Sequence, residues 1–334
     1  MKLATLKDGS RDGQLVVVSR DLSQAHYASG IAGRLQQVLD DWGFLAPQLE
    51  ELYVGLNHGR LRHAFNFDPK QCMAPLPRAY QWVEGSAYLN HVELQQRALA
   101  GEQPSLLVEP LMRQGCSDEL LGACDAARFA SEAMGIDFEA QLAVMTGDVA
   151  QGANPEQALE GVRLLLLANG WSLRHLGPQG VGGPGAGFHS RPATAFGPVA
   201  VTPDELGSAW RGGRVDLALQ TMWNGRKVGQ CEAGPEMSFH FGQLIAQAAR
   251  TRALRAGSLV GSGPVSNKDA GRGYSCIADK RALEVIESGQ AKTAYMAFGD
   301  SLRIEMKGAD GLSLFGAIDQ DVVGLYENEA SPTA

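Results

Sequence analysis

An acid and an imidazole stand seven residues apart in the run Trp82-Val83-Glu84-Gly85-Ser86-Ala87-Tyr88-Leu89-Asn90-His91. Histidine is the side chain whose ordinary pKa lies nearest neutrality, so it can take and return a proton at physiological pH; a carboxylate can bind a cation or steady an imidazolium. The same pair also suits a surface loop. A second run, Ile136-Asp137-Phe138-Glu139-Ala140-Gln141-Leu142-Ala143-Val144, alternates polar and apolar residues. At the strand period this puts Asp137, Glu139 and Gln141 on one face and Phe138, Ala140 and Leu142 on the other. Oxygen-bearing side chains in such a row can converge on a hard cation, and a solvated sheet face produces the same alternation. Two further segments, Asn169-Gly170-Trp171-Ser172-Leu173-Arg174 and Gly261-Ser262-Gly263-Pro264-Val265-Ser266-Asn267, carry turn signals.

The elements that must position these residues are mostly short. Strand-like runs occur at 137–144, 199–201, 215–219, 258–260 and 302–306, separated by Gly, Pro and Asn turns, and Asn224-Gly225 after an alternating run reads as a hairpin turn. Helical spacing is found at 33–52, 155–167, 241–250 and 280–288. Many strands with a few helices inserted argue for an α+β, mostly β fold rather than an alternating parallel sheet. Glycine, 41 of 334 residues, points the same way through its demand for tight turns. The two prolines of Met73-Ala74-Pro75-Leu76-Pro77-Arg78 mark a connector. It divides a small N-terminal domain, 1–75, entered through a strand at 14–18, from a larger domain, 76–330. The glycine-rich stretch 177–187 has neither the helix nor the lysine of a phosphate loop and is expected to be a surface loop or lid.

Charge and composition remove several classes of function. Lys and Arg number 29 against 37 Asp and Glu, a net −8, and no long basic block occurs, which argues against nucleic acid and anionic membrane as partners. Apolar runs such as 164–168 fall far short of the roughly 20 residues that span a bilayer. No signal-like apolar segment opens the chain, so a soluble, cytoplasmic protein is expected. The five cysteines form no CxxC pair, and neither a disulfide framework nor a zinc cluster is expected.

The set of segments WVEGSAYLNHVEL, DFEAQLAVMTGDV, LANGWSLRHL, FHSRPATAFGPVAVTPDELG, GSGPVSN, GYSCIADKRALE and GDSLRIEM, in this order and spacing over about 75–325, resembles the fumarylacetoacetate hydrolase superfamily in its bacterial two-domain form. The resemblance implies a mixed β-sandwich roll, a homodimer, and hydrolysis of a carbon–carbon bond in a β-diketone acid of the fumarylacetoacetate or acylpyruvate type, as in aromatic compound catabolism. It further implies a divalent ion, Mg²⁺ or Ca²⁺, as Lewis acid, with His91 as the base that activates water and Asp279 as its acidic partner. Arg174 and Arg191 would bind substrate, Arg191 also standing where the family has a catalytic lysine.

By motif position Glu84, Glu139, Gln141 and Gly170 fill the four ligand places. Only Glu139 keeps the family's residue: Glu84 replaces an Asp, Gln141 a Glu and Gly170 an Asp. Pro264 replaces a threonine, and Asp279 stands where relatives carry Glu. Two carboxylates remain of four, so a weakened site is expected, with Gln141 offering a neutral carbonyl oxygen. Three readings follow: a metal-assisted hydrolase; a relative that decarboxylates, tautomerises or cyclises a β-keto acid with little or no metal; and a binding protein that keeps the fold.

Overall fold

Turn chemistry sets the strand ends. Asn224 and Gly225 both take positive φ, 50° and 70°, joining strands Ala218–Trp223 and Arg226–Glu232 in the expected hairpin. The computed structural model describes residues 1–100, 107–176 and 187–325. Of the expected glycine-rich loop only Gly187 belongs to these, and the rest lies outside the described residues. Six α-helices occur among them: α1 (Leu35–Asp40), α2 (Trp42–Asn57), α3 (Leu89–Ala100), α4 (Pro155–Glu160), α5 (Phe241–Ala248) and α6 (Ile277–Ser288). The helical pattern at 33–52 is thus two helices that part at Asp41.

The expected helix at 155–167 is a correction. Asn154 caps α4 by accepting the Gln157 N–H at 2.8 Å, but the helix stops before Gly161, and Val162–Asn169 is a strand. Leu164, Leu166 and Ala168 enter one apolar cluster while Leu165 and Leu167 enter the other. A strand buried on both faces is apolar throughout and shows no period by which to tell it from a buried helix.

That strand lies inside an eleven-stranded sheet. Across it run Phe65–Asn66, Gln24–Tyr27, Gln14–Val18, Lys2–Leu6, Ala200–Val201, Val162–Asn169, Ala140–Thr146, Leu259–Gly261, Trp82–Gly85 and Met112–Gln114, with Ala195–Phe196 also paired to Val162–Asn169. Leu259–Gly261 and Trp82–Gly85 are parallel; the other pairs are antiparallel. The sheet therefore continues across residue 75. α1 and α2 cover one face through Leu35, Val38, Leu49 and Tyr53. A five-stranded sheet, ordered Arg226–Glu232, Ala218–Trp223, Ser301–Lys307, Ser313–Gly324 and Ala127–Phe129, packs on the other, with Ser313–Gly324 against Val162–Asn169. The architecture is α+β and rich in strands. No helix among the described residues is long and apolar enough to cross a membrane, and all five cysteines are free.

Candidate active site

His91 and Asp279 meet because two helix N-termini do. His91 lies in the first turn of α3, Asp279 in the first turn of α6, and the two helices pack together. The His91 Nδ1–H donates to Asp279 Oδ1 at 2.6 Å. Asp279 also accepts from Ser266 Oγ at 2.7 Å and Gln95 Nε2 at 3.1 Å. Burial pushes the Asp279 carboxyl up, but His91, Ser266 and Gln95 outweigh it and hold it below the usual carboxylate range. It is thus an ionised acceptor, which fixes the proton on Nδ1 and leaves Nε2 as the basic nitrogen. Gln95 was not singled out in the sequence, and Ser266 was named only as part of a turn; their contacts with Asp279 arise from packing.

The expected row of Asp137, Glu139 and Gln141 is no solvated face. The strand breaks into Ile136–Asp137 and Ala140–Thr146, and every residue from Ile136 to Thr146 is buried. The two acids and the amide have separate tasks. Asp137 accepts the first free N–H groups of α6, from Ile277 at 2.7 Å and Ala278 at 3.0 Å, and so serves as a remote cap for the helix that carries Asp279. It also accepts from Arg174 Nε at 2.8 Å. Burial leaves its carboxyl above the usual range despite Arg174.

Glu139 lies between two arginines. Its Oε2 accepts from Arg191 Nη1 at 2.7 Å, and its Oε1 is 2.7 Å from Arg174 Nη2, an ion pair whose angles fall outside those of a hydrogen bond. Burial alone would raise its pKa; Arg191 and Arg174 bring it down to about 2. Arg191 Nη1 is also 3.7 Å from Glu84 Oε2. The chain places Arg191 there by anchoring its neighbours: the Leu173 N–H donates to the Ser190 carbonyl at 2.9 Å, and Trp82 Nε1 donates to Thr194 Oγ1 at 3.0 Å.

Glu84, in strand Trp82–Gly85, faces Gln141 across the intervening strand Leu259–Gly261. Gln141 Nε2 donates to Glu84 Oε1 at 2.6 Å, and Gln141 Oε1 accepts the Gly263 N–H at 2.8 Å. The backbone donor fixes which end of the amide points where, so Gln141 turns an N–H₂ group toward Glu84. The carbonyl oxygen expected as a ligand is taken by the Gly263 turn, where Pro264 is buried. Two glycines make room for this pair. A Cβ at Gly261 would lie 2.6 Å from Gln141 Oε1, and one at Gly170 would lie 2.5 Å from Glu84 Oε1 and 2.6 Å from Gln141 Nε2.

Arg113 escaped the sequence reading. It stands on strand Met112–Gln114 in register with Glu84 and within electrostatic range of Arg191, Glu139, Arg174 and Glu84. Water still reaches it, although surrounding protein and then Arg191 lower its pKa. Among the described residues it makes no ion pair. A polar cavity of about 380 Å³ adjoins Asp279, lined also by Asn90, Arg97, Ser266 and Lys268.

The donor set at the four expected ligand places, Glu84, Glu139, Gln141 and Gly170, does not suit Mg²⁺ or Ca²⁺. Such ions need free oxygen lone pairs. Here both Glu139 oxygens face guanidinium groups, Glu84 faces an amide donor and a guanidinium, Gln141 presents hydrogens, and Gly170 has no side chain. A different group, His91, Cys276 and Asp279, offers three ligand atoms within 4.8 Å of one another and could hold a metal ion. That mixture of N, S and O suits a zinc-like rather than a magnesium-like ion. Burial raises the Cys276 thiol well above its ordinary value, which keeps it protonated and favours the hydrogen-bonded histidine pair.

Residues 1–78 match the fumarylacetoacetase N-terminal domain 2 family, and residues 81–323 match the C-terminal domain of fumarylacetoacetate (FAA) hydrolase. The chain belongs to the fumarylacetoacetate hydrolase family. Solved structures of the same fold extend over nearly the whole chain. A putative HpcE protein from Mycobacterium smegmatis has a TM-score of 0.68 at 19% identity, covering 97% of this chain and 100% of that one. A probable 2-hydroxyhepta-2,4-diene-1,7-dioate isomerase from Mycobacterium abscessus gives 0.67 at 16%, covering 97% and 99%. Maleylpyruvate hydrolase from Sphingobium sp. SYK-6, in complex with manganese(II) and pyruvate, gives 0.65 at 15%, covering 97% and 99%. Comparison with curated proteins finds no match. The family's structural neighbours thus include hydrolases and isomerases, and one of them holds a divalent metal, whereas this chain has two arginines among its acids.

Proposed function

We propose that the chain is an acid–base enzyme that moves a proton on an enolisable dioxo or β-keto acid, a tautomerisation, isomerisation or decarboxylation rather than a metal-assisted cleavage. The His91–Asp279 contact carries this reading. A buried carboxylate that fixes the proton on Nδ1 leaves Nε2 to abstract a proton from the carbon between two carbonyls, and the same carboxylate stabilises the imidazolium that results. Negative charge then develops on an enolate oxygen. Only Nη1 of Arg191 is engaged with Glu139 and Glu84 among the described residues, so its remaining N–H groups can donate to that oxygen, and Arg113 can hold the acid's carboxylate. Arginine stays protonated near neutral pH and so stabilises charge without supplying the proton. His91, now protonated, returns it at a different carbon; in a decarboxylation the enolate forms instead by loss of CO₂, and an imidazolium protonated beforehand from solvent gives its proton to the carbon that CO₂ left.

The likeness to an isomerase supports the reading. The second reading, hydrolysis of a carbon–carbon bond, is favoured by the likeness to maleylpyruvate hydrolase, and it uses the same histidine on a water molecule. Proton NMR of acetylpyruvate in D₂O separates them. Exchange or loss of the central protons without release of acetate and pyruvate is expected, with His91→Asn slower by about 10² to 10⁴. Metal-stimulated release of both products would overturn the first reading in favour of the second. We also propose a homodimer built mainly by the domain after residue 75; light scattering should give twice the mass of the 334-residue chain.

A further inference from the structure

Glu84 and Glu139 are nearly inaccessible, 5% and 1% exposed, and carboxyl groups buried this deeply require a counter-charge or hydrogen-bond donors. Arg191, itself 8% exposed, reaches both, at 3.7 Å and 2.7 Å. Burial works against its charge, yet Glu139 and Glu84 raise its pKa above the ordinary arginine value. We propose that Arg191 is the built-in cation of this site, occupying the charge-balancing place between Glu84 and Glu139 and thereby excluding a divalent ion from these two carboxylates.

Three observations bear on it independently. A divalent ion would have to lie about 2.0 to 2.6 Å from these carboxylate oxygens, in the space that Nη1 already takes. Glu84, Glu139 and Asp137 balance Arg174 and Arg191 to within one charge, so a further two positive charges would leave a buried excess beside Arg113. Finally, the Gln141 amide turns its donors toward Glu84, an orientation that supports an acceptor and opposes a cation.

The inference goes beyond the proposed reaction, since its test reads metal binding and not turnover. Free Mn²⁺ is followed by electron paramagnetic resonance during titration with the full chain. Wild type is expected to leave the signal intact up to roughly 1 mM, whereas Arg191→Ala, which frees both carboxylates, should bind one ion at least about tenfold more tightly. Adding Glu139→Gln to that variant should abolish the gain. Arg191→Gln keeps a donor in place and carries the same expectation if the alanine variant does not fold. Mn²⁺ binding by wild type that Glu139→Gln removes would overturn the proposal, as would a folded Arg191→Ala or Arg191→Gln protein that gains none.

Discussion

At Gly170 the constraint is space and not backbone conformation. Its φ is not positive, but a Cβ would press on Glu84 Oε1 and Gln141 Nε2 at once. Gly170→Ala should therefore cost about 1 to 3 kcal/mol in a denaturant melt. Glu84→Asp, one methylene shorter, should recover part of that loss, and a double-mutant cycle that shows no coupling would refute the clash. It follows that Gln141→Glu with Gly170→Asp does not rebuild a cation site while Glu84 keeps its length and Arg191 stays. Asp279→Asn tests the other half of the site: an amide no longer fixes the proton on Nδ1, and kcat should fall by about 10² to 10⁴ with little change in KM. The sequence made His91, Asp279, Arg174, Arg191, Glu84 and Glu139 visible as types in a known order. It could not show which end of the Gln141 amide faces Glu84, because that depends on a backbone N–H 122 residues away.

Elements were legible where one side met water. The hairpin at Asn224-Gly225 and helices α5 and α6 leave a local mark, either positive φ or a half-apolar face. The strand Val162–Asn169 leaves none, and neither does the break between Asp137 and Ala140, which is set by pairing with partners far along the chain. α6 also has a tether that pattern reading passes over. Glu284 accepts from the Lys292 N–H at 2.7 Å, the Thr293 N–H at 2.8 Å and Thr293 Oγ1 at 2.6 Å, closing the turn that follows the helix. Slight burial raises its pKa, but these donors and Lys280 bring it down from 4.5 to about 2. Between those values the unfolded chain binds the extra proton, so the tether's contribution is complete above pH 4.5 and is lost as the pH falls toward 2. Glu284→Ala should cost about 1 to 3 kcal/mol at pH 7. The gap to wild type should close in acid melts, and a gap that persists at pH 2 would contradict this account.

On the scale of the whole molecule, one buried lysine joins distant parts. Lys2 Nζ donates to the carbonyls of Arg20 at 2.9 Å and Ser313 at 3.1 Å. Burial lowers its pKa from 10.5 to about 8, against the pull of Glu205 and Asp310. Its folded value lies below its unfolded one, so the unfolded chain binds more protons in that window. Wild type should accordingly gain stability relative to Lys2→Met as pH rises from about 8 to about 10.5, and parallel melting curves across that range would count against it. The continuity of the sheet through Lys2–Leu6 and Ala200–Val201 was not readable, since neither strand carries a local sign of its partner. That pairing also has a consequence in time. During synthesis the first hairpin leaves the ribosome about 200 residues before the strand that covers its edge, an interval of roughly 10 to 40 s at ordinary elongation rates. For that interval the Lys2–Leu3 end of the edge is bare and apt to pair with another nascent chain, while the Leu6 end is already bridged to Cys72. Chains arrested before residue 195 should then be cut by protease within their first 75 residues more readily than the finished protein, and should lean more heavily on chaperones.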